Sequence, residues 1–482
     1  MQFPPRKGFG PADAFKQVTQ WLQHPALNHV VKEAAQKLGI HEPPSLSKVQ
    51  EVLRQAGSWL ERAAEPLLHS GKISTDALRV GINATGEVFH PRWIGLPIAS
   101  HAGQLEAFLS QGFAQDEGVQ EELHRLILAS TGAADAVVVA NLPMAIQATV
   151  LGLTEAQGAN TAVPMGPAVI LPRAACVRIP VGGQAGTTSL HGILAPLGLH
   201  SANSATGLRV IEIGSNVDCL NDDYAKALAS HPGSVVLHVS PIRGGLDRFA
   251  ATEHAKKNQS MVCEIVLDST LHDVRWDGGE TPSLTRRWQD GADVLIVPTQ
   301  FLMAGPPATL ILGKKGAIDK IRPVVDSLGA GADRLTQAVL LAALNDEQTI
   351  EQWERTPVGA ILSTPLANLE NRAHRLAIQL QDTPTLERVS TKTQKCKIGT
   401  TVWQEMELPS AILEVIPRGQ SVATLHEALA QHHPPIWTNV YSDHLEIVLR
   451  TVDPADDVQL VHALASPSGK DSRNETKPSN AS

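Results

Sequence analysis

The stretch DVLIVPTQFLMAGPPATLILG, residues 293–313, contains two short apolar runs joined by a loop that is rich in small residues and proline. Continuous apolar runs of this kind suit strands that are buried on both faces of a largely parallel sheet, with helices as crossovers. Seven such runs occur, at residues 136–140, 168–171, 208–213, 234–239, 264–268, 293–297 and 308–312. They predict a large α/β domain over residues 80–330.

Different patterns flank this predicted domain. Residues 12–79 place apolar side chains at helical spacing and predict a helical N-terminal domain, preceded by a flexible segment at residues 1–11. Residues 331–465 combine three predicted helices (333–344, 365–381 and 456–465) with short apolar runs, which indicates a small α+β C-terminal domain. Residues 466–482 contain no large apolar residue, so we expect a disordered tail.

Composition and simple motifs limit the function classes. The chain of 482 residues has a formal net charge of −9, which gives no general attraction to nucleic acid. Its four cysteines are widely spaced and include no C-x-x-C pair, so we predict neither a metal site nor a disulfide framework. No apolar run suits a signal peptide or a membrane span, and we expect a cytoplasmic protein with no membrane partner.

Seven short segments carry a pattern that extends over much of the chain. They are INATG at 82–86 followed by VFH at 88–90, TGA at 131–133 followed by VVVAN at 137–141, GADV at 291–294, AGPPA at 304–308, LGKK at 312–315, LSTPL at 362–366 and PPI at 434–436. In this order and spacing they resemble the bacterial selenocysteine synthase (L-seryl-tRNA(Sec) selenium transferase) family of the pyridoxal-phosphate fold-type-I superfamily. The resemblance covers about 380 residues, from Val80 to Leu464. It implies a fold-type-I, aminotransferase-like large domain and pyridoxal phosphate as the family cofactor.

The resemblance also implies roles for particular residues. A fold-type-I enzyme holds its cofactor by a lysine imine, a carboxylate on the pyridine nitrogen and a helix N-terminus at the phosphate. Asp268 takes the place of the carboxylate, Asn141 that of the helix start, and Arg173 matches the arginine of the family's S-R-G-E. A strand-end turn cap for Asp268 and a plain helix N-cap for Asn141 are the ordinary alternatives.

The imine-forming lysine of the family is missing. Aligning residues 304–306 with the family's G-G-P puts the lysine of its S-G-D-K-L-L on Phe301. A phenyl ring forms no imine, and no lysine lies between Lys257 and Lys314. We therefore do not expect covalent binding of pyridoxal phosphate.

Three functions are open at this point. The first is a working pyridoxal-phosphate-dependent transferase or lyase of the family, which the missing lysine disfavours. The second is a homologue that has lost the imine chemistry and binds a small-molecule ligand or a partner, as a pseudoenzyme. The third is a cofactor-independent enzyme built around Asp268, His272, Asp273 and His238. We favour the second.

Two expectations about partners accompany this choice. We expect a homo-oligomer, because the resemblance implies a site built where two subunits meet. We expect no strong tRNA binding, because residues 12–80 contain eight Lys or Arg against seven Asp or Glu. Phosphate neutralisation on RNA requires a more basic surface.

Overall fold

The structure is a computed structural model that describes residues 81–89, 118–158, 168–180, 187–197, 209–241, 245–246, 248–268, 270–276, 279–399 and 406–466. These residues belong to one compact unit, Val80–Ser482. The predicted flexible start, the predicted helical domain at 12–79 and all but the first residue of the predicted tail lie outside the described residues. Within the described ranges, no helix is both long enough and apolar enough to cross a membrane.

Twelve strands form the two larger sheets of the described part. In chain order they are β1 (Ile82–Ala84), β2 (Asp135–Val139), β3 (Ala168–Pro172), β4 (Arg209–Ile213), β5 (Val235–Ser240), β6 (Met261–Val266), β7 (Val294–Pro298), β8 (Thr309–Gly313), β9 (Leu386–Lys397), β10 (Glu407–Pro417), β11 (Ile436–Val440) and β12 (Leu445–Val448). The seven-stranded sheet has the order β2-β8-β7-β6-β5-β3-β4, and the five-stranded sheet has the order β1-β11-β12-β10-β9. Three short two-stranded ribbons accompany them: Arg178–Pro180 with Thr187–Ser189, Asp218–Cys219 with Gly245–Leu246, and Val274–Trp276 with Gly279–Thr281.

The longer helices cover both sheets. They are α1 (Gly118–Thr131), α2 (Leu142–Gly158), α3 (Asn221–Ser230), α4 (Arg248–Lys257), α5 (Lys315–Ser327), α6 (Arg334–Asn345), α7 (Leu366–Leu380), α8 (Val422–Gln431) and α9 (Asp457–Ala465). Shorter helices occur at Leu190–Leu194, Leu284–Gln289, Ile350–Trp353 and Pro357–Ser363, and 3₁₀ turns at Arg173–Ala175, Ala195–Leu197, Leu449–Thr451 and Pro454–Asp456.

The seven-stranded sheet is buried on both faces. Every residue of β3, β5, β7 and β8 is buried. Along β7, Val294 and Ile296 pack in the cluster that contains α2 and α5, whereas Leu295 and Val297 pack in the cluster that contains α1 and α6. This alternation explains the continuous apolar runs, because each face of the strand needs its own apolar side chains.

Strand direction puts six strand ends at one edge. All neighbouring pairs from β7 to β4 are parallel. Strand β8 runs antiparallel to both β7 and β2, so β2 points the same way as the parallel group. Residues that follow β2, β3, β5, β6 and β7 therefore share the carboxyl edge of the sheet, which is where ligands bind in open α/β sheets.

The five-stranded sheet has its own core, formed with α7, α8 and α9. Strand β1 belongs to this sheet: it pairs in parallel with β11, and Ile82 N donates to Pro435 O at 2.7 Å. The predicted large domain, residues 80–330, included the residues of β1. A short strand with alternating burial carries little information about its partner, which explains why the pairing differs from that grouping.

Gly152 allows α2 to pack closely on α5. A Cβ atom at residue 152 would lie 2.8 Å from both the Ile321 Cα and the Lys320 carbonyl oxygen. We expect Gly152→Ala to lower the free energy of unfolding by about 1–3 kcal/mol, because the two backbones must separate. Denaturant titration followed by circular dichroism measures the change.

Gly316→Ala is the matched control for this substitution. Gly316 lies in the first turn of α5, and an added Cβ would meet nothing within 4 Å. Its stability should stay within about 0.5 kcal/mol of the parent or rise slightly. Equal stability of the two variants would contradict the close helix contact.

Candidate functional site

The three residues assigned to cofactor binding all lie at the carboxyl edge of the seven-stranded sheet. Asn141 follows β2, Arg173 follows β3 directly, and Asp268 comes two residues after β6. Two strands separate β2 from β6, and β5 separates β6 from β3. The structure therefore places the three side chains along one edge, but none of them forms a hydrogen bond with another.

Asn141 is the N-cap of α2. Its Oδ1 accepts a hydrogen bond from Met144 N at 3.0 Å, and its carbonyl oxygen accepts one from Ala145 N at 3.1 Å. The side chain is exposed. This geometry is that of an ordinary cap, and it also directs the first N–H groups of α2 toward the edge, as anion binding at a helix start requires.

Asp268 is a buried carboxylate that uses only one of its oxygens. The residue is 7% exposed, and Oδ2 accepts a hydrogen bond from Arg287 Nη2 at 2.7 Å. Oδ1 is buried and has no hydrogen-bond partner among the residues that the structure describes. Burial raises the pKa of the Asp268 carboxyl, and the charge of Arg287 opposes that rise. An unpartnered buried acceptor is costly, so Oδ1 favours a ligand that brings a donor.

Arg287 connects Asp268 to a second buried carboxylate. It lies on the short helix Leu284–Gln289, and its Nη1 is 3.2 Å from Ser240 Oγ and 3.4 Å from Glu264 Oε1. Arg248 Nη2 also donates to Glu264 Oε1, at 2.9 Å, and the Ser240 hydroxyl donates to the same oxygen. Two guanidinium groups thus balance two carboxylates, which such groups need when they leave water.

Sequence reasoning missed most of this cluster. Glu264 stands in the otherwise apolar run Met-Val-Cys-Glu-Ile-Val of β6. A charge within a buried strand requires a buried partner, so this residue carried a usable signal. No local pattern identifies Arg248 or Arg287, because they reach the cluster from helices elsewhere in the chain.

Phe301, which the resemblance aligns with the family's lysine, lies in the apolar core. Its residue is 5% exposed, and its ring packs edge-to-face on Phe89, with 5.4 Å between ring centroids and 80° between planes. Both side chains belong to the main core cluster of the sheet. Residue 301 therefore contributes aromatic packing rather than a charged or hydrogen-bonding group.

The loop that carries Phe301 is held by its own hydrogen bonds. Thr299 Oγ1 donates to Pro306 O at 2.6 Å, and the indole Nε1 of buried Trp353 donates to Leu302 O at 2.9 Å. Ala304 has φ of 46°, in the left-handed region that favours glycine, and the family resemblance places a glycine at this residue. The backbone thus keeps the turn that the G-G-P pattern requires, which supports the alignment of Phe301 with the lysine.

The candidate acid–base residues make their hydrogen bonds elsewhere. His238 is buried, with Nε2 3.0 Å from the Tyr224 hydroxyl oxygen, and burial lowers its pKa to about 3. His272 Nε2 lies 2.6 Å from Glu347 O. The Asp273 carboxylate accepts a hydrogen bond from Ser283 N at 2.7 Å. None of the three is hydrogen-bonded to Asp268, so the described part of the chain does not assemble them into one catalytic group.

Arg173 points to the edge strand rather than to Asp268. Its Nε donates to Glu212 Oε2 of β4 at 3.2 Å, and half of its side chain is exposed. It is therefore part of a surface ion pair in the structure.

These residues fit pyridoxal phosphate only in part. The buried Oδ1 of Asp268 suits a protonated ring nitrogen, and the start of α2 suits a phosphate. Phe301 offers no amine, and the lysines that bracket it in sequence bind surface carboxylates: Lys257 that of Glu253 and Lys314 that of Asp293. Residue 301 itself therefore offers no group that forms an imine.

Comparison with known proteins gives a consistent result. A family model described as L-seryl-tRNA selenium transferase matches residues 201–453. The L-seryl-tRNA(Sec) selenium transferase of Moorella thermoacetica is 25% identical over 484 aligned positions, covering 93% of this chain and 95% of that protein. The protein of the same name from Carboxydothermus hydrogenoformans is 25% identical over 391 positions, covering 77% and 78% of the two chains.

A solved structure shows the same fold. D-glucosaminate-6-phosphate ammonia-lyase superposes with a TM-score of 0.55 at 15% sequence identity, over 82% of this chain and 98% of that chain. Together with the mostly parallel seven-stranded sheet and the smaller α+β part, this likeness confirms the predicted fold-type-I architecture.

The buried charge cluster predicts a large difference between two adjacent arginines. Arg287→Ala leaves Asp268 without its partner and should destabilise the protein by about 3–5 kcal/mol. Arg286→Ala, on the same helix but with a side chain 52% exposed, should change stability by about 0.5 kcal/mol or less. Urea unfolding of both variants measures the contrast, and a loss below about 1 kcal/mol for Arg287→Ala would contradict the assigned role.

Proposed function

The chain belongs to the L-seryl-tRNA selenium transferase family, and we propose that it is a member that has lost imine chemistry and binds a ligand or partner as a pseudoenzyme. Pyridoxal phosphate is the cofactor of the family. The proposed ligand site is the carboxyl edge of the sheet around Asp268, where the fold places ligands. Binding there is non-covalent.

The observation that carries the proposal is the burial of Phe301. Amine exchange and carbanion stabilisation by pyridoxal phosphate begin from a lysine imine. At residue 301 the chain instead has an aromatic ring, 5% exposed and packed against Phe89. Hydrogen bonds from Thr299 to Pro306 O and from Trp353 to Leu302 O hold the loop around it in this conformation.

The rest of the edge supports a binding role. Asp268 offers a buried oxygen with no partner, and the Arg287 ion pair holds the other oxygen in place. Such a carboxylate selects ligands that carry an N–H or O–H donor. The proposed ligand is therefore a small molecule with a donor group and, if it reaches the start of α2, an anionic group.

One observation favours an alternative. Asp268 occupies the position of the carboxylate that binds the pyridine nitrogen in the family, and its free oxygen suits that contact. An active pyridoxal-phosphate enzyme of this family is therefore the second candidate. It requires an amine that reaches the site from a residue other than 301.

Phe301→Lys tests the two candidates. If Asp268 and the start of α2 still shape a cofactor site, the variant should form an imine with pyridoxal phosphate, seen as a visible absorbance band that borohydride removes. The parent protein and the control variant Phe301→Leu should show no such band. A borohydride-sensitive band in the parent protein would overturn the proposal. A colourless Phe301→Lys variant that is folded by circular dichroism would overturn the proposed ligand site.

We also propose that the chain associates with itself and does not bind tRNA strongly. Three large apolar side chains near the starts of α3 and α4 are exposed: Val217 at 66%, Leu220 at 58% and Phe249 at 78%. The ribbon Asp218–Cys219 with Gly245–Leu246 brings these segments side by side, and adjacent exposed apolar side chains favour association. Residues 12–80 are nearly balanced in charge, with eight basic and seven acidic residues, which does not favour RNA.

Light scattering tests the association. The parent protein should have the mass of a dimer or a larger oligomer, and the double substitution Leu220→Ser with Phe249→Ser should lower that mass. Val458→Ser, at a residue 79% exposed on α9, is the control and should leave the mass unchanged. A monomeric parent protein would contradict the proposal of a homo-oligomer.

A further inference from the structure

A separate group of polar side chains lies beside the carboxyl ends of β3 and β4. Cys176 follows the 3₁₀ turn Arg173–Ala175, His191 lies in the short helix Leu190–Leu194, and Glu212 lies in β4. One donor atom of each, the thiol sulfur, an imidazole nitrogen and a carboxylate oxygen, lies within 4.8 Å of the other two. We propose that these three side chains form a zinc(II)-binding site. This site goes beyond the proposed function, which concerns Asp268.

The donor set and the spacing suit zinc. Thiolate, imidazole and carboxylate are the groups that bind zinc in proteins, and tetrahedral coordination separates donor atoms by about 3.3–3.6 Å. His191 Nε2 already lies 3.0 Å from Glu212 Oε1. Side-chain movements of about 1 Å therefore suffice to coordinate the ion. Three protein ligands leave the fourth position open to water or to a substrate, as in catalytic zinc sites.

The surroundings of the cluster allow an ion to enter and hold one ligand in position. The side chains of His191 and Glu212 are 42% and 38% exposed, so the ion reaches them from solvent. Arg173 Nε donates to Glu212 Oε2 at 3.2 Å, which orients the carboxylate and leaves Oε1 for the metal. Arg173, assigned above by resemblance to the cofactor, thereby acquires a positioning role at a different site.

Zinc binding at this cluster requires the Cys176 thiol to lose its proton. Burial and, second, the charge of Glu212 raise the pKa of the Cys176 thiol to about 11. This shift opposes zinc binding, because it favours the protonated thiol. A bound zinc ion would displace that proton, because metal coordination deprotonates the thiol.

A second cluster with metal-binding residue types lacks these properties. Donor atoms of Glu414, His444 and Glu446 also lie within 4.8 Å of one another. Lys392 Nζ, however, is 2.8 Å from Glu414 Oε1 and 2.5 Å from Glu446 Oε1. The ammonium group thus occupies the same oxygens that face His444 Nε2, whereas Arg173 pairs with Glu212 Oε2 and leaves Oε1 facing His191.

The sequence predicted no metal site, because its motifs require closely spaced ligands. Residues 176, 191 and 212 are far apart in the chain and match no C-x-x-C or H-x-x-x-H spacing. Cys176 and Glu212 come together because β3 and β4 are neighbouring parallel strands, and His191 reaches them from the short helix Leu190–Leu194. A ligand set drawn from separate elements is invisible to motif searches.

Zinc titration of the full chain against a chromogenic zinc chelator tests the proposal. The parent protein should bind one zinc ion that Cys176→Ser, His191→Gln and Glu212→Gln each weaken by about tenfold or more. Cys396→Ser and His254→Gln remove the same residue types elsewhere and should bind zinc as the parent does. No zinc binding by the parent protein, or equal affinity in all variants, would overturn the proposal.

Cobalt(II) provides a second measurement on the parent protein. A thiolate ligand gives a charge-transfer band in the near ultraviolet, which carboxylate or imidazole ligands alone do not give. The band should appear in the parent and in Cys396→Ser and be absent from Cys176→Ser. Absence of the band in the parent protein, or its persistence in Cys176→Ser, would overturn the site. Neither result depends on pyridoxal phosphate, so the outcome is independent of the proposed function.

Discussion

The packing of the loop between β7 and β8 places the side chain of residue 301 in the apolar core, and the proposed loss of imine chemistry rests on this packing. Thr299 closes this loop through its hydroxyl group, and Trp353 holds it from outside through Leu302 O. The loop directs the side chain of residue 301 into the core against Phe89. Ala304, with φ of 46°, keeps a left-handed turn where the resemblance places a glycine, so the proposed replacement of lysine by Phe301 would change the chemistry without a change of fold.

The buried charged residues around Asp268 have a different role from the apolar loop. Asp268, Glu264, Arg287 and Arg248 form a buried network in which opposite charges are matched. Such a network persists only if each charge has its partner, since an isolated charge in the interior is costly. The network therefore ties Asp268 to the stability of the domain. Among the described residues it leaves Oδ1 of Asp268 without a hydrogen-bond partner, and the proposed ligand contact is made at this atom.

The sequence predicted the architecture better than the site. Long apolar runs such as those of β5 and β7 identify buried strands directly, because both faces must be apolar. The helix cap at Asn141 was equally visible from its position before Leu142 and Pro143. Pairings between distant elements were not visible: Arg287 with Asp268, or Cys176 with His191 and Glu212, depend on the folded chain. The grouping of His238, His272 and Asp273 with Asp268 shows the same limit, since their hydrogen bonds go to other partners.

The proposed function requires that no lysine of this chain forms an imine with pyridoxal phosphate at the site around Phe301. Borohydride reduction of the native parent protein with equimolar pyridoxal phosphate, followed by peptide mass spectrometry, measures this directly at every lysine. If no lysine binds the cofactor specifically, labelling will be scattered over surface lysines and substoichiometric. Stoichiometric labelling of one lysine would contradict it and would return the chain to the catalytic members of its family.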